Sequence, residues 1–173
     1  KFAGNNEPYL YDEETDPLFA RDKDGKLIHK PFKVTLGIDF GGNGSMTTFV
    51  LKLYFHGYHD LRTAEEANLE LSPDIDAEAI CSKFIEYYKY CMGKYGFIDW
   101  VFPDSASTTM INSLRSAARK AGLPYRNIKG CRKNEVSDRP RTYDMLMITG
   151  RWIFSQLYDD NMVKTLQDYF KGL

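Results

Sequence analysis

Cysteine and histidine are both scarce, with three of each in 173 residues, and no two cysteines form a CxxC pair. Cys81, Cys91 and Cys131 therefore supply neither a zinc ribbon nor a thioredoxin-like redox motif. Their sparse use fits a reducing compartment. A global charge excess is missing too: 23 Lys and Arg against 24 Asp and Glu leave a net charge of −1. No overall basic field draws in a polyanion, so any such contact has to rest on a local patch. No stretch carries a signal-peptide pattern, and no apolar run approaches the length of a membrane span. Repeats and low-complexity tracts are absent. What remains is a length that suits one domain with a sizeable core, rich in aromatics at 14%. The first residue is Lys1 and not methionine, which reads as a fragment of a longer protein.

The polar segment 1–32 holds Glu7-Pro8, Asp12-Glu13-Glu14 and Asp22-Lys23-Asp24-Gly25. The last of these reads as a turn, with Lys26-Leu27-Ile28 as a short strand. The acidic run lacks the twelve-position ligand pattern of an EF-hand. Residues 1–32 are expected to form a leader or linker that packs on the edge of a domain spanning 33–173.

The informative stretch is Val34-Thr35-Leu36-Gly37-Ile38-Asp39-Phe40-Gly41-Gly42-Asn43-Gly44-Ser45. An apolar run rises to Asp39 and breaks into a glycine-rich turn. Thr47 to Phe55 then reads as a second strand, giving a hairpin. The first strand is too apolar for a sheet edge and is expected to be central. A carboxylate at the end of a buried strand costs desolvation unless a cation pairs with it, and hard divalent cations take carboxylate oxygens. The other reading is a turn aspartate that caps Gly41 and Gly42. His56-Gly57-Tyr58-His59-Asp60 fits no zinc template and reads as a loop or strand end. Residues 60–72 are polar and featureless for a core segment, as if chain were missing nearby.

Ser72-Pro73-Asp74 is expected to open a long helix, with Ser72 as N-cap and Pro73 at the first helical position. Ala77, Ile80, Cys81, Phe84, Ile85, Tyr88, Cys91, Met92 and Tyr95 fall on one face, and Gly96 ends it. Phe97 to Phe102 is an apolar strand that runs into Pro103 and Asp104. Ser105, Ser107 and Thr108 open a helix over about 108–121, with Met110, Leu114, Ala117, Ala118 and Ala121 inward. A strand, helix, strand crossover is right-handed, so this strand should lie parallel to the one ending at Asp39. As neighbours they would place Asp39 and Asp104 at carboxyl ends on the same edge, where open α/β sheets bind ligands. A divalent ion would relieve the repulsion between them. Asp104 is also a plausible N-cap for the helix.

Gly122-Leu123-Pro124 ends that helix, and Tyr125 to Lys129 reads as a short strand. Lys129, Arg132, Lys133, Arg139 and Arg141 follow within thirteen residues, interrupted by Gly130 and Pro140. This is either a solvated charged loop or a contact for a phosphate backbone. Tyr143 to Gly150 is expected to be helical, Trp152-Ile153-Phe154 extended, and Met162, Val163, Leu166 and Phe170 mark a last helix.

This order of strands and helices, with acids at two strand ends, is similar to the ribonuclease H-like α/β fold, a mixed central sheet flanked by helices. More narrowly, Gly37-Ile38-Asp39-Phe40-Gly41, Asp104-Ser105-Ala106-Ser107 with Ile111 and Leu114-Arg115, and Arg141-Thr142-Tyr143-Asp144-Met145-Leu146 with Gly150-Arg151-Trp152 resemble the C-terminal nuclease domain of the large terminase subunit of tailed phages. The resemblance covers about 33–170. It implies a metal-dependent endonuclease that cuts double-stranded DNA during viral genome packaging. Asp39 would bridge two Mg²⁺ or Mn²⁺ ions about 3.5–4 Å apart, and Asp104 would hold one of them. Lys129, Arg132, Lys133, Arg139 and Arg141 would contact DNA. Further implied partners are an ATPase motor domain on the same longer chain, the small terminase subunit and the portal, in the host cytoplasm and away from membranes. The family's third essential aspartate is expected either beyond Leu173 or to be missing, with Asp159, Asp160 and Asp168 as poor substitutes.

Two rivals come from other classes. A lobe of an actin- or sugar-kinase-like ATPase uses a similar Asp-x-Gly turn, although that fold needs two lobes and this chain has a single such turn. A catalytically silent ribonuclease H-like module would dock DNA or a portal without cutting.

Overall fold

The computed structural model describes residues 10–41, 46–57, 59–69, 77–131 and 152–155. In chain order these form β1 (Leu10–Tyr11), a 3-10 turn (Pro17–Phe19), β2 (Lys33–Asp39), β3 (Thr47–Phe55) and β4 (Asp60–Leu69). Then come α1 (Ala77–Tyr95), β5 (Trp100–Pro103), α2 (Thr108–Lys120) and β6 (Trp152–Ser155). The strands hydrogen-bond in the order β1-β6-β4-β3-β2-β5. The pairs β1–β6, β4–β6 and β2–β5 are parallel. β2 and β3 are neighbours joined by a short connection, as are β3 and β4. The sheet is mixed, as the hairpin and the crossover helix lead one to expect.

By contacts the chain divides into two compact units, residues 1–32 with 53–64 and 137–173, and residues 33–52 with 65–136. In the first, Phe19 packs edge-on against Phe55, with ring centroids 6.2 Å apart. Arg62, almost fully buried, donates to the Asp16 carboxylate at 2.9 Å. The turn at Asp22–Lys26 forms as expected, with Gly25 at φ 76°. Leu27 makes only an isolated bridge to Arg21 and no strand.

The second unit holds the main core. β2 buries Val34, Leu36 and Ile38, and β3 buries alternate residues from Thr47 onward. Strict alternation on β3 marks one face turned to the core and one less covered. α1 brings in Ile80, Phe84, Tyr87, Tyr88, Cys91 and Tyr95, and Phe84 stacks on Tyr88 at 5.2 Å. Tyr87, absent from the expected face, packs on Phe49 at 5.8 Å. Burial pushes the Cys91 thiol up to about 12, so it behaves as a small apolar residue. Gly96, at φ 86°, ends α1 as its position suggested. The expected start at Ser72 lies outside the described residues.

The reading of 60–72 also fails. Residues 60–69 are a strand, and its first half, Leu61 to Glu65, is buried. The segment looked featureless because its polar residues are paired at long range. Glu65 accepts from Lys94 at 2.6 Å and from the Tyr95 hydroxyl at 2.7 Å, which offsets the cost of burying its charge. Tyr125 to Lys129 likewise forms a turn with one bridge, Ile128 to Val101, in place of a strand. The segment expected to be helical at 143–150 and the helix at 162–170 lie outside the described residues, whereas Trp152–Ser155 is extended, as read.

Phe84 is fully buried and stacked. Phe84→Ala should therefore lower unfolding free energy by about 3–5 kcal/mol, measured by urea denaturation followed by circular dichroism.

Candidate functional site

The pairing of β2 with β5 builds the site. Thr35 lies beside Trp100, Leu36 beside Val101, Gly37 beside Phe102 and Ile38 beside Pro103. One step further, at the carboxyl ends of both strands, come Asp39 and Asp104. The Asp104 N–H donates to the Ile38 carbonyl at 2.9 Å, which extends the pairing to the acids. Because side chains alternate in a strand, Thr35, Gly37 and Asp39 share one face of β2. Leu36 and Ile38 go to the core with Val101 and Pro103.

Asp39 is exposed and Asp104 half-buried. Desolvation therefore does not force a counter-ion on Asp39. Among the described residues no hydrogen bond or ion pair reaches the Asp39 carboxylate. Nor does Asp39 cap Gly41, whose N–H donates to the Thr47 hydroxyl at 3.1 Å. Asp104 is not the helix N-cap either. That role falls to Ser107, which accepts from the Met110 N–H at 3.3 Å. Asp104 Oδ1 instead accepts from the Ala106 N–H at 3.1 Å, a turn closed by an aspartate side chain. Its second oxygen lies outside that turn bond.

Of the five basic residues, Lys129 is described, exposed and close to β5. Its ammonium sits 4.2 Å from the centroid of the Trp100 ring. The backbone of 127–131 runs beside β5, with Val101 N–H on the Asn127 carbonyl and Lys129 N–H on the Val101 carbonyl. Arg132, Lys133, Arg139 and Arg141 lie outside the described residues, as do Asp159, Asp160 and Asp168. The turn at His56–Asp60 brings two imidazoles to one carboxylate oxygen, His56 Nδ1 at 2.9 Å and His59 Nδ1 at 3.3 Å from Asp60 Oδ2. Among the described residues no group of three or more His, Cys, Asp and Glu is arranged to hold a metal ion. Nor is any helix among them long and apolar enough to cross a membrane.

Trp100 and Phe102 were read only as apolar strand residues. Their ring centroids are 6.3 Å apart at an interplanar angle of 22°, and they share the face that leads to Asp104. The signal available beforehand was two aromatics at period two.

No protein-family model and no curated protein sequence matches this chain. Solved structures do match it. The human cytomegalovirus terminase nuclease domain, Mn-soaked and inhibitor-bound, aligns over 96% of this chain and 84% of its own, with 10% identity and a TM-score of 0.64. The fold, a mixed sheet flanked by helices, is the one seen in terminase nuclease domains. The large terminase nuclease domain of bacteriophage SPP1, with bound Mn, aligns over 83% of this chain and 71% of its own, with 17% identity and a TM-score of 0.54. For the P22 large terminase nuclease domain these values are 87%, 72%, 12% and 0.53. The terminase resemblance read from Gly37–Gly41 and Asp104–Ser107 thus falls on a chain with the fold of terminase nuclease domains.

Asparagine keeps the Oδ1 acceptor that Asp104 offers to Ala106. Asp104→Asn should leave stability within about 0.5 kcal/mol of wild type. Ser107→Ala should cost about 1 kcal/mol through loss of the N-cap. Paired urea melts of the two variants check this.

Proposed function

We propose that this chain is a metal-dependent endonuclease domain that cuts double-stranded DNA during viral genome packaging, with Asp39 and Asp104 as its metal ligands. The observation that carries the reading is the β2–β5 register, which sets the two acids side by side at the carboxyl ends of parallel strands. That edge is where open α/β sheets bind ligands.

Carboxylate oxygens fit Mg²⁺ or Mn²⁺, hard ions that keep several waters and take few protein ligands. An exposed Asp39 with no competing partner among the described residues suits that role, and Asp104 lies beside it at the end of the paired strand. Two divalent ions bound there would supply an activated water and neutralise charge at the scissile phosphodiester. The chain's own part is orientation. β2 and β5 fix the spacing of the acids, and the Ala106 N–H holds the Asp104 carboxylate in one rotamer. Lys129, with Arg132, Lys133, Arg139 and Arg141, would position the phosphate backbone without reading bases. A third carboxylate would come from the chain beyond those acids. The nuclease would act within a longer packaging protein in the host cytoplasm, beside an ATPase motor domain, the small terminase subunit and the portal. Support comes from the shared fold, and from Mn in the SPP1 and cytomegalovirus nuclease structures.

Asp39→Ala should abolish Mn²⁺-dependent nicking of plasmid DNA while leaving the thermal unfolding midpoint nearly unchanged. An Asp39→Ala protein that still nicks would sink the metal assignment. DNA retention without any cleavage under Mn²⁺, with the full C-terminus present, would favour a silent docking module instead. Neutralising Lys129, Arg132 and Lys133 together should weaken binding equally for unrelated sequences. It should also flatten the log–log salt dependence by about one unit per lost phosphate contact, read by fluorescence anisotropy over a salt series.

A further inference from the structure

β5 ends the strand order, and its outer edge is hydrogen-bonded to the segment 127–131. Its two faces differ. Val101 and Pro103 are buried, whereas Trp100 is half-buried and Phe102 is 37% exposed. Of the large aromatics, Phe102 is the exposed one on this strand, and it lies two residues from Asp104. The two rings stack on each other, and Lys129 places its cation over Trp100. Across the pairing from Phe102 stands Gly37, which carries no side chain. A Cβ there would meet only the Val50 carbonyl, at 3.8 Å. The β2 residue paired with Phe102 therefore places no side chain beside its ring.

An exposed aromatic on a strand face would be expected to be hidden or replaced by a polar residue. Here the rings sit next to a cation, on the face that ends at two acids. A cation flanking stacked aromatics complements a polymer that is anionic along its backbone and aromatic in its bases. Bases stacked inside a duplex offer no free ring face, so the occupant is an unpaired stretch.

Resting on the nuclease reading above, we propose that Trp100 and Phe102 form a stacking platform for unpaired bases of a nucleic-acid strand leading to the Asp39–Asp104 pair, with Lys129 on its phosphate. The platform makes this site a reader of melted or frayed ends, beyond the backbone contacts of intact duplex. Stacking needs no metal, so it can be measured apart from cleavage.

The test uses the whole 173-residue chain in EDTA, with labelled oligothymidylate and a labelled duplex of equal length as probes. Phe102→Leu keeps an apolar side chain and removes the ring face; Phe102→Tyr keeps the ring. Phe102→Leu should bind oligothymidylate about tenfold more weakly, the loss expected for one stacked base, with its salt slope unchanged. Phe102→Tyr should bind like wild type, and duplex affinity should not move in either variant. Lys129→Gln should lower the salt slope by about one. Phe102→Leu binding oligothymidylate as tightly as wild type would overturn the platform, as would an equal loss on duplex. Mn²⁺-dependent plasmid nicking, run in parallel, separates the two readings. Nicking with no effect of Phe102→Leu on oligothymidylate rejects the platform and keeps the nuclease. Ring-dependent binding without nicking, in a chain extended to carry the third carboxylate, keeps the platform and rejects the nuclease.

Discussion

The parallel register between β2 and β5 is the constraint on which the candidate site depends. A slip of one residue would turn every side chain of one strand to the other face. Val34, Leu36, Ile38 and Val101 are all buried, three of them completely. Each contributes about 1.5–3 kcal/mol by leaving water. Two carboxylates in water repel by only about 1 kcal/mol at close approach. Apolar burial therefore decides the register, and the acids are carried to adjacent strand positions with it.

Polar ties hold β5 at both ends. Before the strand, the Asp99 carboxylate accepts from the Val34 N–H at 2.8 Å. After it, the Asp104 N–H meets the Ile38 carbonyl. Each bond closes a backbone group that would otherwise be left unpaired at a strand end. The segment beyond α2 is fixed to the same strand. Tyr88, fully buried on α1, donates to the Pro124 carbonyl, and the Asn127 amide donates to the Ile98 carbonyl. Arg115 on α2 donates to the Ile128 carbonyl at 2.9 Å. These contacts hold 127–131 against β5 and bring Lys129 to Trp100. The helices thus serve the site at one remove, by aligning the strand that carries Asp104 with the loop that carries Lys129.

Much was legible in advance where the signal is local. The hairpin at Val34–Phe55 shows in its apolar alternation, α1 in its stripe and Gly96, and α2 in Leu114 and Ala118, although Ile111 and not Met110, Ala117 or Ala121 completes its buried face. Asp39 and Asp104 stand out because each ends an apolar run. β4 did not show, because its stability rests on pairs far apart in sequence. Arg62 finds Asp16, and Glu65 finds Lys94 and Tyr95. A buried Arg and Glu read as surface residues until their partners are placed. The cap of α2 went to Ser107 and not to Asp104, a choice between two acceptors three residues apart that loop geometry settles.

The sequence by itself determined the hairpin, both helices with their glycine and small-residue ends, and the two acids at strand ends. These features follow from periodicity and turn chemistry over a few residues, where the backbone's own geometry sets which side chains share a face. Only the tertiary structure decided that β5 lies directly beside β2, that Asp39 and Asp104 occupy neighbouring positions, and that Trp100, Phe102 and Lys129 gather on the same face. The reason is that strand partners sixty-five residues apart in the chain, such as Thr35 and Trp100, are chosen by the burial of the whole sheet, and no local pattern encodes that choice.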